Sequence, residues 1–332
     1  MAFSIVLTRR IPDAGLQLLT KQRGFKIWMW DKPTPIPRRV LLQRAQGAHA
    51  IISLLTDKVD EEVLRAAGPQ LRIVANYAVG YDNIDVDSCN HNHVIVTNTP
   101  NVLNTAVAEH TIALMMSIGR RIVESDAFTR AKKFKTWQPD LLLGTEFSGK
   151  TFGLVGAGRI GSMVARIAHH GLGMQILYHN PHVNEELEKE YAAKRVTKTQ
   201  LLTKADVVSL HVPLTPETRH LIGAAELAKM KKTAILINTA RGPVVDEHAL
   251  ISALSRGVIA GAALDVFECE PAIACSILDT YAVRKLKNII LTPHTASATF
   301  EARNAMAVTA AKNVIAVLGG KAPITPVDNG RR

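Results

Sequence analysis

Three side chains in the second half of this chain could together move a proton and hold an acid: Arg241 in AILINTARG, Glu270 in AGAALDVFECEP and His294 in NIILTPH. Each follows an apolar run that reads as a β-strand, and Arg241, Glu270 and His294 stand 29 and 24 positions apart. Histidine, with an ordinary pKa of about 6.5, can give up and recover a proton near neutrality. A carboxylate beside it would fix the ring and favour the imidazolium. An arginine offers a planar fork for a carboxylate and a neighbouring carbonyl oxygen. Alone, a histidine after a strand is more often a surface residue, Arg241-Gly242 suits a turn into the helix of PVVDEHALISAL, and Glu270 suits a solvated loop. It is their joint appearance at three strand ends that points to chemistry, because ligands of open α/β sheets sit outside the carboxyl ends of the strands.

A fourth strand end supplies what such chemistry would act with. TFGLVGAGRIGSMVARIA places Gly156, Gly158 and Gly161 in the G-x-G-x-x-G spacing between a strand and an amphipathic helix. Gly156 permits the tight turn, Gly158 lets a pyrophosphate approach the backbone, and Gly161 lets the helix pack closely. The anion then meets unpaired N–H groups at the helix start. The acid expected about 20 residues on, to bond the adenosine ribose, is missing. Asn180 stands there instead, 24 residues after Gly156, between His179 and His182 in ILYHNPHVN. No carboxylate repels a 2′-phosphate, and Arg159 in the glycine loop could attract one, so NADP is expected slightly ahead of NAD.

These strand ends need elements to carry them. The 332 residues suit two domains. Strand-like and helix-like segments alternate, which argues for parallel sheets with crossover helices. The first series has strands at SIVLTR, AIISLL, RIVANY and VIVTN, and the second at TFGLVG, MQILYH, VVSLHV, AILINT, AGAALDVF and NIILTP. Between them AVAEHTIALMMSIGRRIVESDAF reads as one long helical stretch running past RAKKFK to Trp137-Gln138-Pro139. A last helix is expected from about Phe300 to Leu318, with no strand after it to receive a crossover. The chain therefore leaves one domain near Pro100 and returns to it near Ala298: residues 1–100 with 298–332 form one domain, and 101–297 the other.

Composition narrows the class. Hydrophobic content of 47% and charged content of 21% are those of a soluble globular protein, and no apolar run approaches the roughly 18 residues of a membrane span. Three cysteines, Cys89, Cys269 and Cys275, are too few for a disulfide framework and lack metal-ligand spacing. A cytoplasmic protein without a metal site is expected. The net charge of +11 is scattered, and its one dense run lacks interleaved aromatics, so nucleic acid is an unlikely partner.

Five ordered motifs, VGAGRIG, HVPLTPETRHLI, INTARGPVVDEHAL, ALDVFECEP and LTPHTASAT, together resemble the D-isomer-specific 2-hydroxyacid dehydrogenases, essentially end to end. NYAVGYDNID, the Trp137–Pro139 segment with LLLGTEFSGKT, and SATFEARNAMA are most similar to the glyoxylate/hydroxypyruvate reductases of that family. The resemblance implies an α/β protein in which a Rossmann-type cofactor domain is inserted into a flavodoxin-like substrate domain. It implies a homodimer through the helical stretch after Pro100, and reduction of a small 2-oxo acid with NAD(P)H. Residue by residue, it makes Arg241 the substrate-binding arginine, Glu270 the histidine's partner and His294 the general acid/base. Val79 and Gly80 match the backbone loop for the substrate carboxylate. Ile160 and Gly161 match pyrophosphate contacts, Pro213 a further cofactor contact, and Thr239 and Asp265 positions beside the ribose and nicotinamide. Two departures stand out: Thr295-Ala296 where the family often has Ile-Gly, and Asn180 in place of the acid. Two alternatives share the fold. Phosphite dehydrogenases carry a lysine where Val79 stands, which argues against phosphite. A dinucleotide-sensing corepressor-like module would suit the basic charge, but the chain, ending at VDNGRR, offers no partner-recruiting extension.

Overall fold

The middle of each sheet is built from short runs that bury every side chain: AIIS at Ala50–Ser53 and IVAN at Ile73–Asn76 in one, VVSL at Val207–Leu210, ILIN at Ile235–Asn238 and GAAL at Gly261–Leu264 in the other. Such runs do not alternate apolar with polar, because helices cover a parallel sheet on both faces. A computed structural model describes residues 2–270, 283 and 285–327. Pro271, Cys275 and the closing DNGRR of the sequence reading lie outside the described residues. The chain divides into two units, Met1–Leu103 with Ala298–Arg332, and Asn104–Ser297.

In the first unit the strands are β1 (Phe3–Leu7), β2 (Phe25–Met29), β3 (Ala50–Ser53), β4 (Ile73–Asn76) and β5 (Ile95–Thr97), all parallel in the order β2-β1-β3-β4-β5. This is the flavodoxin-like order. Helices α1 (Asp13–Thr20) and α12 (Phe300–Leu318) pack on each other. The contact is so close that a Cβ on Gly15 would stand 2.4 Å from the Ala307 carbonyl oxygen. The opposite face is filled from α2 (Arg38–Ala45), α3 (Glu61–Ala67) and α4 (Val86–His91), through Leu41, Val63, Leu64 and Cys89.

The second unit holds β6 (Thr151–Val155), β7 (Gln175–His179), β8 (Lys194–Arg195), β9 (Val207–Leu210), β10 (Ile235–Asn238), β11 (Gly261–Leu264) and β12 (Ile289–Leu291). They form one parallel sheet in the order β12-β11-β10-β9-β6-β7-β8. Counted from β6, this is the Rossmann order with one added edge strand, and its switch point lies between β6 and β9. One face packs on α5 (Asn104–Gly119), α7 (Arg159–Leu172) and α8 (Glu185–Tyr191), with Met115, Phe152, Leu154, Val164 and Leu187 buried there. The other face carries α9 (Lys198–Lys204), α10 (Ala224–Leu227) and α11 (Glu247–Ser255) over Leu201, Leu227, Leu236 and Leu250.

The structure corrects the sequence reading in three places. β2 and β8 were not expected, and both are edge strands: β2 carries the exposed Lys26 and β8 is two exposed residues. The long helical stretch is two helices, α5 and α6 (Ile122–Arg130), and the second stops short of Trp137. The break follows from packing. The Phe147 ring sits where a Cβ on Gly119 would be, 2.2 Å away, and Arg121 turns the chain with a left-handed φ of 52°.

Candidate active site

The glycine loop joins β6 to α7. Gly156 has a φ of 95°, and a Cβ there would meet the His211 backbone at 2.7 Å. A Cβ on Gly161 would come within 2.3 Å of the Gly156 carbonyl oxygen. Gly158 is different: nothing lies within 4 Å of the space its Cβ would take. It is the N-cap of α7, which has no side-chain cap and no acid in its first turn. The first and third glycines therefore fold the loop, and the second leaves open the path by which an anion reaches the helix N–H groups and dipole. Arg159 beside it is exposed and Ile160 half-buried. These residues fit a dinucleotide pyrophosphate.

At the end of β7 the Asn180 Oδ1 accepts the Ala157 N–H at 3.2 Å, and its Nδ2 donates to the His182 carbonyl at 3.0 Å. Arg195, on β8, donates from Nε to the Asn180 carbonyl at 3.0 Å and from a terminal nitrogen to the Pro181 carbonyl at 2.5 Å. The sequence showed no arginine just after the β7 strand; the fold brings one from the neighbouring strand.

β10, β11 and β12 are adjacent and parallel, so their carboxyl ends open on one edge. Arg241 follows β10 and donates to the Ala240 carbonyl at 2.7 Å, while the Asn238 side chain donates to the Arg241 carbonyl at 2.8 Å. Gly242 seats this loop on the next strand end: a Cβ there would fall 1.9 Å from the Phe267 carbonyl carbon. Beyond β12, His294 adopts a left-handed φ of 54°, an uncommon conformation for a residue with a side chain. Its N–H donates to the Asp265 carbonyl at 2.9 Å, which holds the turn.

The histidine has its carboxylate. Glu270 Oε2 lies 2.5 Å from His294 Nδ1, and its other oxygen accepts the Phe267 N–H at 2.8 Å. The two side chains are 28% and 27% exposed, so the pair is only partly covered. Asp265 beneath them is wholly buried. It accepts the Thr292 hydroxyl at 2.6 Å and the N–H groups of Thr295 and Ala296 at 2.8 Å each, with His110 of α5 3.5 Å away. Burial pushes its pKa up, but the hydrogen bonds from His110, Thr292, Thr295 and Ala296 outweigh burial and hold it below the usual carboxylate range. An ionised Asp265 thus ties down the segment that carries His294.

The remaining residues singled out from the sequence lie as follows. Thr239, next after β10, shares a 3.0 Å hydrogen bond with Thr111 of α5. Pro213 is exposed after β9, its carbonyl accepting the Thr218 hydroxyl at 2.6 Å. Val79 and Gly80 belong to the first unit, after β4, where their carbonyls accept the side-chain amides of Asn98 at 2.7 Å and Asn76 at 2.8 Å. The sequence reading missed His110, Glu247 and the His220–Glu268 pair. Each sits in or beside a helix or loop where only packing reveals its partner.

A glycine loop open to an anion at a helix start, and a carboxylate-held imidazole on the same sheet, fit an NAD(P)-dependent oxidoreductase unit. Comparison with known proteins makes this specific. Residues 112–296 match the family described as D-isomer specific 2-hydroxyacid dehydrogenase, NAD binding domain. A glyoxylate reductase of Korarchaeum cryptofilum is 47% identical over 320 residues, 96% of this chain and 94% of that protein. The crystal structure of the TT0316 protein of Thermus thermophilus superposes with a TM-score of 0.91 at 39% identity, covering 98% of this chain and 100% of that one. An NADPH-dependent glyoxylate/hydroxypyruvate reductase of Sinorhizobium meliloti, solved with NADP and malonate, has a TM-score of 0.82 at 29% identity, covering 98% and 97%. The chain belongs to the D-isomer-specific 2-hydroxyacid dehydrogenase family, and is an NAD(P)-dependent enzyme acting on 2-oxo acids. Among the described residues no helix is long and apolar enough to cross a membrane.

Proposed function

We propose that this enzyme reduces glyoxylate and hydroxypyruvate to their 2-hydroxy acids, with NADPH preferred over NADH and His294 as the proton donor. The observation that carries the reading is the Glu270 carboxylate on His294 Nδ1. By accepting the Nδ1–H it fixes the ring, so that the transferable proton sits on Nε2, facing away from Glu270. The bound reduced nicotinamide supplies the hydride for the substrate's C2. His294 Nε2 gives its proton to the carbonyl oxygen, and in the reverse direction takes it back. The Arg241 fork holds the substrate carboxylate and polarises the carbonyl. Gly156, Gly158, Arg159, Ile160 and Gly161 would hold the pyrophosphate, Asn180 and Pro213 the adenosine part, and Thr239 and Asp265 the nicotinamide part.

NADPH preference is supported by the absence of a carboxylate at Asn180 and by Arg195 beside it. A homodimer is supported by the apolar residues left exposed after α5, with Ile122, Val123, Leu143 and the 77%-exposed Trp137 on one stretch of chain.

Steady-state rates with NADH and NADPH, each against glyoxylate, hydroxypyruvate and pyruvate, and with NAD⁺ and NADP⁺ against phosphite, test the proposal. Loss of reduced-nicotinamide absorbance with the first two acids, and a higher kcat/KM with NADPH, is the expected outcome. Tight dinucleotide binding without turnover of any 2-oxo acid would replace it with a dinucleotide-sensing module. Oxidation of phosphite would redirect the substrate assignment.

A further inference from the structure

Glu247 opens α11, directly after the helix cap Asp246, whose side chain accepts the Ala249 N–H at 2.9 Å. An acid in a helix's first turn ordinarily points to solvent and favours the dipole. Glu247 instead is 2% exposed. Its Oε1 accepts the Glu268 N–H at 2.8 Å, and its Oε2 is buried with no hydrogen-bond partner among the described residues. The neighbouring amide, Phe267 N–H, is the one that Glu270 accepts at 2.8 Å. Two successive amides of the turn after β11 are thus held by carboxyl groups of two different glutamates, one from α11 and one from the turn itself. Gly242, at the start of the same β10–α11 connection, touches this turn backbone to backbone at Phe267.

We propose that Glu247 is a positioning residue of the reductase site, clamping the Phe267–Glu270 turn at the Glu268 N–H so that Glu270 stays on His294 Nδ1. The proposal rests on the function proposed above and deepens it. Among the described residues the charged groups facing Glu247 are Glu268, itself paired with His220, and Glu270, paired with His294; on its own helix Asp246 is engaged as the cap. Burial raises the Glu247 pKa and the two carboxylates add to it, bringing it to about 7 even though the Glu268 N–H favours the charged form. A neutral Glu247 bonds the amide without a third negative charge under the pair. Because its folded pKa is raised, its contribution is complete below the unfolded value and fades as pH rises through about 7.

Two variants of the full-length protein test this. Glu247→Gln keeps an oxygen for the Glu268 N–H and cannot ionise. It is expected to hold kcat within about twofold of wild type at about pH 6 and to decline less than wild type as pH rises through about 7. Glu247→Leu removes the acceptor. Its kcat is expected to fall about tenfold or more with an unchanged KM for dinucleotide, through misplacement of the acid–base pair. Its His294 imidazole signal, in histidine-labelled protein, should move away from that of the Glu270-bonded ring. A Leu variant with wild-type kcat and a wild-type His294 signal overturns the proposal. So does a Gln variant with an unaltered pH profile, which remains decisive if the Leu variant does not fold. If wild type turns over no 2-oxo acid, the functional reading fails, and the His294 signal still judges the clamp.

Discussion

Asp57 in the first unit and Asp265 in the second are both buried aspartates just past a strand end, 4% and 0% exposed, yet their pKa values move in opposite directions. Asp57 is pushed up: burial dominates over the Thr8 hydroxyl, the Leu54 N–H at 2.9 Å, the Thr56 hydroxyl at 3.2 Å and the nearby Arg9. Asp265 is held down, because two backbone amides and the Thr292 hydroxyl, with His110 alongside, outweigh burial. The donors also differ in where they lead. Those of Asp57 come from β1 and from its own turn. Those of Asp265 come mainly from residues 292–296, the segment bearing His294. A buried charge is costly unless fully hydrogen-bonded. In this chain the donors outweigh burial for the aspartate tied to the His294 segment, and fall short of it for the aspartate that closes a loop.

The largest effect should come from the group that the Asp265 network aims. His294→Asn keeps a residue that tolerates a left-handed backbone and removes the proton carrier. Its kcat is expected to fall by about 10²- to 10⁴-fold, with dinucleotide affinity and Tm close to wild type because the bonds to the Asp265 carboxylate are untouched. Kinetics beside a dinucleotide titration check both halves. Near-normal turnover would strip this strand end of its catalytic assignment. Next in size is Asp265→Asn. Its new NH₂ must face one of the two N–H donors now bonded, a cost of about 1–3 kcal/mol. The sign follows from the lowered pKa: the stability Asp265 contributes is present above the unfolded value and lost as pH falls through the folded one. Thermal unfolding should therefore show a gap between wild type and variant at neutral pH that narrows on acidification.

Physical reasons decide which parts of this comparison could be read from sequence. The buried central strands β3, β4, β9, β10 and β11 are apolar runs that announce themselves. β2, with exposed Lys26, and β8, with two exposed residues, carry no such run. The Glu270–His294 contact was legible because strand ends of a parallel sheet share an edge. The glycine loop was legible because its spacing encodes both the turn and the close approach. Arg195 was not, since its contact with Asn180 exists only through the unread β8. Nor were His110 and Glu247, which look like ordinary positions of α5 and α11 until tertiary packing turns them toward Asp265 and the Glu268 amide. The break between α5 and α6 was hidden for the same reason. Gly119 lies in a continuous helical pattern, and only the Phe147 ring, distant in sequence, says why the residue is small.

The smallest effect should come from Asp57→Asn, and its smallness is the point. An asparagine Oδ1 can take over both the Thr8 hydroxyl and the Leu54 N–H, while its NH₂ can donate to the Thr56 hydroxyl oxygen, so no bond of the network needs to be lost. Because the Asp57 pKa is raised, the native residue contributes stability below the unfolded value and loses it as pH rises through the folded value. Ionisation of the carboxylate as pH rises is then a cost that asparagine does not carry. Denaturant midpoints should place the variant within about 1 kcal/mol of wild type or slightly above it at neutral pH, and relatively less stable in acid. That is the reverse of the trend expected for Asp265→Asn. If both substitutions destabilised equally at neutral pH and converged together in acid, the two aspartates would be doing the same work, and the distinction between a charge that aims a catalytic group and one that closes a loop would fall.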